Sequence, residues 1–126
     1  ILTLNAMTAS NKVIVPLETA IYSLQGLSQL HGLIESIRKY CNPEITLDGL
    51  LINKYDARAN INRTFEESLE RISKQLKTRV YKSRIRQAIA IKEMEYSQEN
   101  IFEAYEKANV TKDFEAFIDE FLEKEV

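Results

Sequence analysis

The sequence predicts an α/β fold with a mostly parallel sheet and flanking helices. Short apolar runs alternate with longer stretches of helical spacing, and this strand-helix alternation occurs twice in succession. The run Leu50-Leu51-Ile52 has no polar alternation, which is typical of a strand covered on both faces, as in a parallel sheet. With 126 residues, 44% of them hydrophobic, the chain suits one domain with a real core, so residues 1–126 are expected to form a single domain.

The first strand-helix unit occupies the amino-terminal third of the chain. The β-branched run Lys12-Val-Ile-Val-Pro16 predicts a strand that is closed by proline. The helix that follows has apolar residues at helical spacing: Ile21, Leu24, Leu27, Leu30, Ile34 and Ile37. Asn42-Pro43 ends it. Gly26 and Gly32 lie inside this helix at a cost in stability, so we expect them to mark places where it packs closely on the sheet.

The second unit begins with a strand over Thr46 to Asn53. Its helix is predicted from the apolar spacing of Phe65, Leu69, Ile72 and Leu76. Thr64-Phe-Glu-Glu67 has the pattern of a capping box, in which the threonine and the second glutamate satisfy backbone N–H groups. This pattern predicts that the helix begins there.

The remaining elements are predicted from shorter patterns. Val80-Tyr81 indicates the core of a third short strand, and Ile85 to Met94 indicates a loop or a brief helix. Thr111 is predicted to cap a final helix. One face of that helix collects six apolar residues, which favour a core role over a cofactor site: Val110, Phe114, Phe117, Ile118, Phe121 and Leu122.

Charge is distributed unevenly although the net charge is only −2. Arg63 to Lys92 contains nine Lys/Arg and three Asp/Glu, a net +6, whereas Glu93 to Val126 contains three and eleven, a net −8. A basic block can bind nucleic acid by neutralising phosphate, but solvated helix faces often have similar charge. Both interpretations stay open on charge alone.

Several kinds of chemistry lack the residues that they need. A single cysteine, Cys41, cannot form an internal disulfide, and with one histidine, His31, no His/Cys metal cluster can be assembled. The three glycines begin neither a phosphate-binding Gly-x-x-x-x-Gly-Lys loop nor a dinucleotide-binding Gly-x-Gly-x-x-Gly turn. We therefore predict no catalytic residues and no metal site. No apolar run approaches the roughly 20 residues of a membrane span, so a cytoplasmic protein without a membrane partner is expected.

A polar tip follows the second predicted strand and contains Asn53, Asp56, Arg58 and Asn60. Ligands bind at the carboxyl ends of strands in open α/β sheets, so these side chains are candidate contacts. Asx residues are also common wherever a strand turns into a helix. Loop chemistry and a binding edge are about equally supported by the spacing.

Four ordered motifs closely resemble ParA-type partition ATPases of the ParA/Soj kind. They are the segment Ile1 to Ser10, Val-Ile-Val-Pro16, Tyr22-Ser-Leu-Gln-Gly-Leu-Ser-Gln-Leu30 and Tyr55-Asp-Ala-Arg-Ala-Asn60. The resemblance extends to about Ile91 and implies the carboxyl-terminal half of such a protein. It therefore implies part of a P-loop NTPase-like three-layer fold from a protein that segregates chromosomes or plasmids.

Members of this family sandwich ATP and Mg²⁺ between two subunits. The resemblance places the phosphate-binding lysines and the magnesium-binding aspartate upstream of the matched segment, so this chain alone is expected to be inactive and to bind no cofactor. It also implies nucleotide contacts. Asn53 matches an adenine-contacting residue, and Ile85 with Arg86 matches an Ile-Pro-Arg-like segment that flanks the adenine, although Arg86 replaces the proline. Glu18 and Thr19 resemble the loop that reaches across the dimer.

The same resemblance implies non-specific DNA binding. Arg58 matches the arginine of an Asp-x-Arg-x-Asn segment that serves DNA binding, whereas Ala90 stands where a second family arginine is expected. Nearby cations are predicted to substitute for it, because non-specific phosphate contact tolerates a moved charge: Arg79, Lys82, Arg84, Arg86 and Lys92. A homodimer, a ParB-like stimulating partner and association with the nucleoid are the further expectations.

Two other functions compete with the partitioning ATPase. A short adaptor without ATPase activity would act through protein contacts of the acidic tail and the aromatic helix. A small-molecule enzyme on a doubly wound scaffold has only fold analogy in its favour. If half of the sheet is missing, Val13 to Val15 would expose a strand edge, and self-association of the isolated chain is expected.

Overall fold

A computed structural model describes residues 2–56 and 62–125. The elements are α1 (Leu2–Ala9), β1 (Lys12–Leu17), α2 (Ile21–Tyr40), β2 (Thr46–Tyr55), α3 (Asn62–Gln75), β3 (Val80–Arg86), α4 (Ile89–Ser97), α5 (Ile101–Ala104) and α6 (Asn109–Glu125). The predicted α/β class is confirmed, and the arrangement is consistent with a P-loop NTPase-like fold. None of the helices in these two ranges is long and apolar enough to cross a membrane.

The sheet of the described residues has three parallel strands in the order β1-β2-β3. Leu17 of β1 pairs with Ile52 of β2, and Tyr55 of β2 pairs with Arg86 of β3. Because the strands are parallel, their carboxyl ends meet at one edge of the sheet and their amino ends at the opposite edge. These two edges have very different chemistry.

Apolar side chains of the central strand are buried on both faces of the sheet, which produces three layers. Leu50 and Ile52 pack with residues of α2 and α3 on one face, whereas Leu51 packs with residues of α5 and α6 on the other. The uninterrupted apolar run of β2 follows from this double coverage, because successive side chains of a strand point to opposite faces. The prediction made from that run is confirmed.

The two glycines of α2 do not mark close packing, so that prediction is wrong. Gly26 and Gly32 are both exposed, and a Cβ atom added at either would meet nothing within 4 Å. The apolar stripe of α2 faces the core through Leu27, Ile34 and Ile37, while the glycines fall between these positions on the outer surface. Helical phase places them away from the sheet.

Both predicted threonine caps are also wrong. Thr64 is the third residue of α3, which begins at Asn62, and Thr111 is the third residue of α6. The side-chain amide of Asn62 donates to the carbonyl oxygen of Asp56 at 2.6 Å and ties the helix start to the end of β2. Thr111 is fully buried, and its hydroxyl donates to the carbonyl oxygen of Tyr105 at 2.6 Å. Each threonine therefore lies within the first turn.

The third strand is longer than the core predicted from Val80-Tyr81. Ile85 and Arg86 belong to β3, and a helix begins only at Ile89. Lysine and arginine at alternating positions interrupt the apolar pattern of this strand, which is why its length was underestimated. On the final helix, Ile118 and Leu122 are 41% and 51% exposed, so its buried face is narrower than predicted.

A candidate phosphate-binding cleft at the carboxyl end of the sheet

A cleft of about 740 Å³ opens where β2 and β3 end and α4 begins. Four cations line it: Lys82, Arg84, Arg86 and Lys92. The first three occupy alternate positions of β3, so the period of two in a strand directs them toward a common region. Lys92 reaches the same cleft from the first turn of α4. Four of the predicted site residues thus come together in one place.

Arg84 is oriented by two neighbouring side chains, of which Tyr55 also lines the cleft. Its guanidinium forms an ion pair with Glu66 of α3 and lies over the ring of Tyr55, 5.0 Å from the centroid. An arginine that lies over an aromatic ring and pairs with one carboxylate keeps other N–H groups of its guanidinium available for hydrogen bonds. Such a group suits the oxygens of a phosphate.

Arg86 forms a bidentate pair with Asp113 of α6. Its Nε donates to one carboxylate oxygen at 2.7 Å, and its Nη2 donates to the other at 3.0 Å. The backbone N–H of Arg86 donates to the same carboxylate at 3.1 Å. These hydrogen bonds raise the pKa of Arg86 above its ordinary value despite some opposing desolvation.

The outer edge of β3 is closed by a second carboxylate of α6. Glu120 accepts hydrogen bonds from the backbone N–H groups of Lys82 at 2.8 Å and Ser83 at 2.9 Å. Partial burial raises the pKa of Glu120, but these hydrogen bonds outweigh it and leave the pKa below its ordinary value. Carboxylates from one helix therefore satisfy N–H groups that an edge strand would otherwise leave unpaired.

Comparisons with known proteins show which families this chain resembles. A family model described as an AAA domain matches residues 1–47. Sporulation initiation inhibitor protein Soj of Bacillus subtilis (strain 168) is 33% identical over 93 residues, which are 74% of this chain and 36% of that protein. Chromosome partitioning protein ParA of Myxococcus xanthus (strain DK1622) is 43% identical over 61 residues, 48% of this chain and 22% of the relative.

A further chromosome partitioning protein ParA, from Caulobacter vibrioides (strain NA1000 / CB15N), is 40% identical over 62 residues, 49% of this chain and 23% of that protein. The chain is thus similar in sequence to a region of ParA/Soj-type partitioning proteins. The recognition made from the four motifs is thereby confirmed. The matches span 22–36% of these three curated relatives, so this chain corresponds to only part of their length.

Of the predicted nucleotide contacts, Arg86 lines the cleft, whereas Asn53, Ile85, Glu18 and Thr19 do not. Ile85 is buried among the apolar residues under α6, and Asn53 is half-buried in β2. Glu18 and Thr19 follow β1, and Glu18 forms an ion pair at 3.1 Å with Lys54. Lys54 has a φ of 52°, in the left-handed region. All of these residues lie toward the carboxyl end of the sheet.

Two of the predicted DNA-binding arginines do not join the cleft cations. Arg58 lies outside the described residues. Arg79 precedes β3 and is thus seven residues from Arg86, about 20 Å along an extended strand. It donates to the buried carboxylate of Asp48 at 3.1 Å and lies over the ring of Tyr81, 4.5 Å from the centroid. The predicted clustering is therefore wrong for Arg79.

The network at the amino end was missed by the sequence reasoning. Asp48 is only 5% exposed and accepts hydrogen bonds from Arg79 and from the hydroxyl of Tyr81, while Lys12 lies 3.8 Å away. Gly49 permits this arrangement, because a Cβ at that position would stand 2.6 Å from the Tyr81 ring. The sequence signal for this network is a carboxylate and a glycine, Asp48 and Gly49, directly before the apolar run of β2.

The described residues contain no group of three or more His, Cys, Asp or Glu that could hold a metal ion. What the cleft offers is positive charge, a guanidinium over an aromatic ring, and a helix start that has no side-chain cap. Ala88 precedes α4 without a side-chain cap, and both Ala88 and Ile89 line the cleft. Together these features suit an anion with several oxygens.

Proposed function

We propose that this chain is a single domain from the carboxyl-terminal portion of a ParA/Soj-type partitioning ATPase, and that its cleft binds phosphate groups. The observation that carries the proposal is the convergence of Lys82, Arg84, Arg86 and Lys92 at the carboxyl end of the sheet. Relatives named for chromosome partitioning support the biological role. In open α/β sheets this edge is where ligands bind.

The charge balance of the cleft supports an anionic ligand. Lys82 and Lys92 form no ion pair within residues 2–56 and 62–125, whereas Arg84 and Arg86 are each paired with one carboxylate. Lys82 and Lys92 are exposed, so phosphate can approach them without a large desolvation cost. A phosphate would then take positive charge from the lysines and hydrogen bonds from the arginine forks.

Two kinds of phosphate fit the proposed role in the whole protein. DNA backbone phosphates would contact Lys82, Arg84 and Lys92, with Arg58 as a further contact. The phosphates of ATP, bound with Mg²⁺, would lie near Arg86, with Asn53 and Ile85 on the adenine side and Glu18 and Thr19 across a homodimer. A ParB-like partner would stimulate hydrolysis, and the protein would then release the nucleoid DNA to which it was bound.

A titration of the 126-residue chain into a fluorescein-labelled 24-base-pair duplex tests the proposal. We expect a rise in anisotropy at low salt that weakens steeply as salt increases, because binding releases condensed counterions. Arg58→Glu, introduced into the complete protein, is expected to weaken DNA binding at low salt and to spare ATP binding. Absence of duplex and ATP binding by the complete protein would refute the phosphate-binding function and favour the adaptor.

A further inference from the structure

Asp113 stands in the cleft as a counter-anion for Arg86. Its side chain is 15% exposed, and both oxygens are used by the guanidinium fork, as described above. A carboxylate and a phosphate offer the same planar pair of acceptor oxygens to arginine. A phosphate that engages the Nε–Nη2 edge of Arg86 therefore has to take the place that Asp113 occupies, and one that engages the other edge meets a guanidinium whose charge Asp113 already balances.

The position of Asp113 is fixed by the packing of α6 on the sheet. Phe117 lies one turn further along the helix, with its ring edge-on to Tyr81 at 4.9 Å between centroids. Glu120, one more turn along, holds the backbone of Lys82 and Ser83. These three side chains have the i, i+4, i+7 spacing of one helical face. The ion pair between Asp113 and Arg86 therefore forms together with the packing of this helical face on β3.

The charge of α6 reinforces this arrangement. The sequence of α6 contains two lysines and six acidic residues, a net charge of −4. It belongs to the segment from Glu93 to Val126, which has a net charge of −8, against +6 for Arg63 to Lys92. The acidic helix consequently covers the basic strand, and Asp113 is the residue through which that charge reaches the lining of the cleft. Exposed acids elsewhere on α6, such as Asp119, contribute only screened, long-range repulsion.

We propose that Asp113 is an intramolecular competitor of the phosphate ligand, which sets the affinity of the cleft by holding Arg86 while α6 is docked. This inference rests on the proposed function, because it assumes that the cleft binds phosphate. Competition is reciprocal: a ligand that takes Arg86 weakens the docking of α6, and a partner that displaces α6 strengthens ligand binding.

Removal of the competing charge tests the inference. Asp113→Asn is expected to bind inorganic tripolyphosphate about fivefold more tightly than the unchanged protein at low salt, as measured by isothermal titration calorimetry of the 126-residue chain. Asp119→Asn is the matched control, since it removes the same charge from the same helix and is expected to change affinity less than twofold. Equal effects of the two substitutions would overturn the proposal.

A second pair of variants separates competition for Arg86 from general electrostatics or loss of folding. In an Arg86→Gln background, Asp113→Asn is expected to have no further effect on affinity, because there is no guanidinium left to release. A persisting fivefold gain would show that Asp113 acts by other means. Circular dichroism of each variant verifies that α6 is retained.

The unchanged protein distinguishes failure of this inference from failure of the proposed function. If it binds tripolyphosphate and Asp113→Asn binds no more tightly, only the competition is refuted. If neither protein binds tripolyphosphate or the 24-base-pair duplex, both proposals fall. Tightening for tripolyphosphate would assign the site to a nucleotide-type phosphate chain, and tightening for the duplex alone would assign it to the DNA backbone.

Discussion

The two ends of β3 each hold an arginine paired with an aspartate, yet the pairs differ in burial. At the amino end, Arg79 pairs with Asp48, whose side chain is 4% exposed and also accepts from Tyr81. At the carboxyl end, Arg86 is 47% exposed and pairs with Asp113 at 15%. The same ion-pair chemistry fixes the sheet at one end and remains exchangeable with a ligand at the other.

Burial explains why the amino-end pair cannot be exchanged. Removing water from the Asp48 carboxylate is costly, and the hydrogen bonds from Tyr81 and Arg79, with the charge of Lys12, offset that cost. Burial, together with the hydrogen bond to Asp48, raises the pKa of the Tyr81 hydroxyl well above its ordinary value. Tyr81 therefore stays protonated and keeps donating to Asp48 over the whole physiological range.

The largest expected effect comes from breaking the amino-end network. Asp48→Ala leaves the Tyr81 hydroxyl without its acceptor and removes the charged acceptor of the Arg79 guanidinium, so the free energy of unfolding should fall by about 3 kcal/mol. Urea denaturation followed by circular dichroism measures this loss. Asp119→Ala, at an exposed position, serves as the control and should change stability by less than about 0.5 kcal/mol. A loss as small as that of the control would mean that the network is not structural.

A smaller loss is expected from filling the space beside Tyr81. In Gly49→Ala the new methyl would stand 2.6 Å from a buried ring that Asp48 also holds, so overpacking should cost about 2 kcal/mol. Gly26→Ala is the opposite case, because the added Cβ meets nothing and helix propensity improves; it should stabilise the protein by about 0.5–1 kcal/mol. Thermal denaturation of both variants provides the comparison, and equal signs would contradict it.

The carboxylate of Glu120 at the edge of β3 should make the stability of the protein depend on pH. The pKa of Glu120 is lowered in the folded protein, so its contribution is fully present above its unfolded pKa near 4.5 and is lost as the pH falls through the lower folded value. Glu120→Gln should lose about 1 kcal/mol at pH 7 and less at pH 3. Urea midpoints at the two pH values measure the difference; an equal loss at both would refute the role of the ionised carboxylate.

Sequence patterns predicted the elements whose signal is local. The uninterrupted apolar run Leu50-Leu51-Ile52 predicted a doubly covered strand, and the β-branched run before Pro16 predicted β1, because burial of these residues dictates their type. Helix starts and the glycines of α2 were predicted wrongly. A threonine within the first turn of a helix has the same local sequence pattern as one at the cap. Which side of a helix a glycine faces depends on the layers packed around that helix.

The candidate site was only partly accessible from the sequence. The block of cations predicted the charge of the cleft, but the linear order could not separate Arg79 from Lys82, Arg84 and Arg86 without the true length of β3. Asp113 and Glu120 lie about 30 residues further along, in a segment whose sequence indicates only an acidic charge. Their role depends on tertiary docking of α6, for which the sequence offers no local signal.

We propose that the carboxyl end of the sheet binds phosphate, whereas the amino end stabilises the fold. The most direct test removes two cleft charges and measures the affinity of the 126-residue chain for the 24-base-pair duplex. Lys82→Gln with Lys92→Gln should weaken binding about tenfold at low salt and leave the urea midpoint unchanged. Lys74→Gln with Lys107→Gln removes the same charge from exposed positions outside the cleft, and should weaken binding less than threefold. Equal weakening by the two pairs would contradict a phosphate site at the carboxyl end of the sheet.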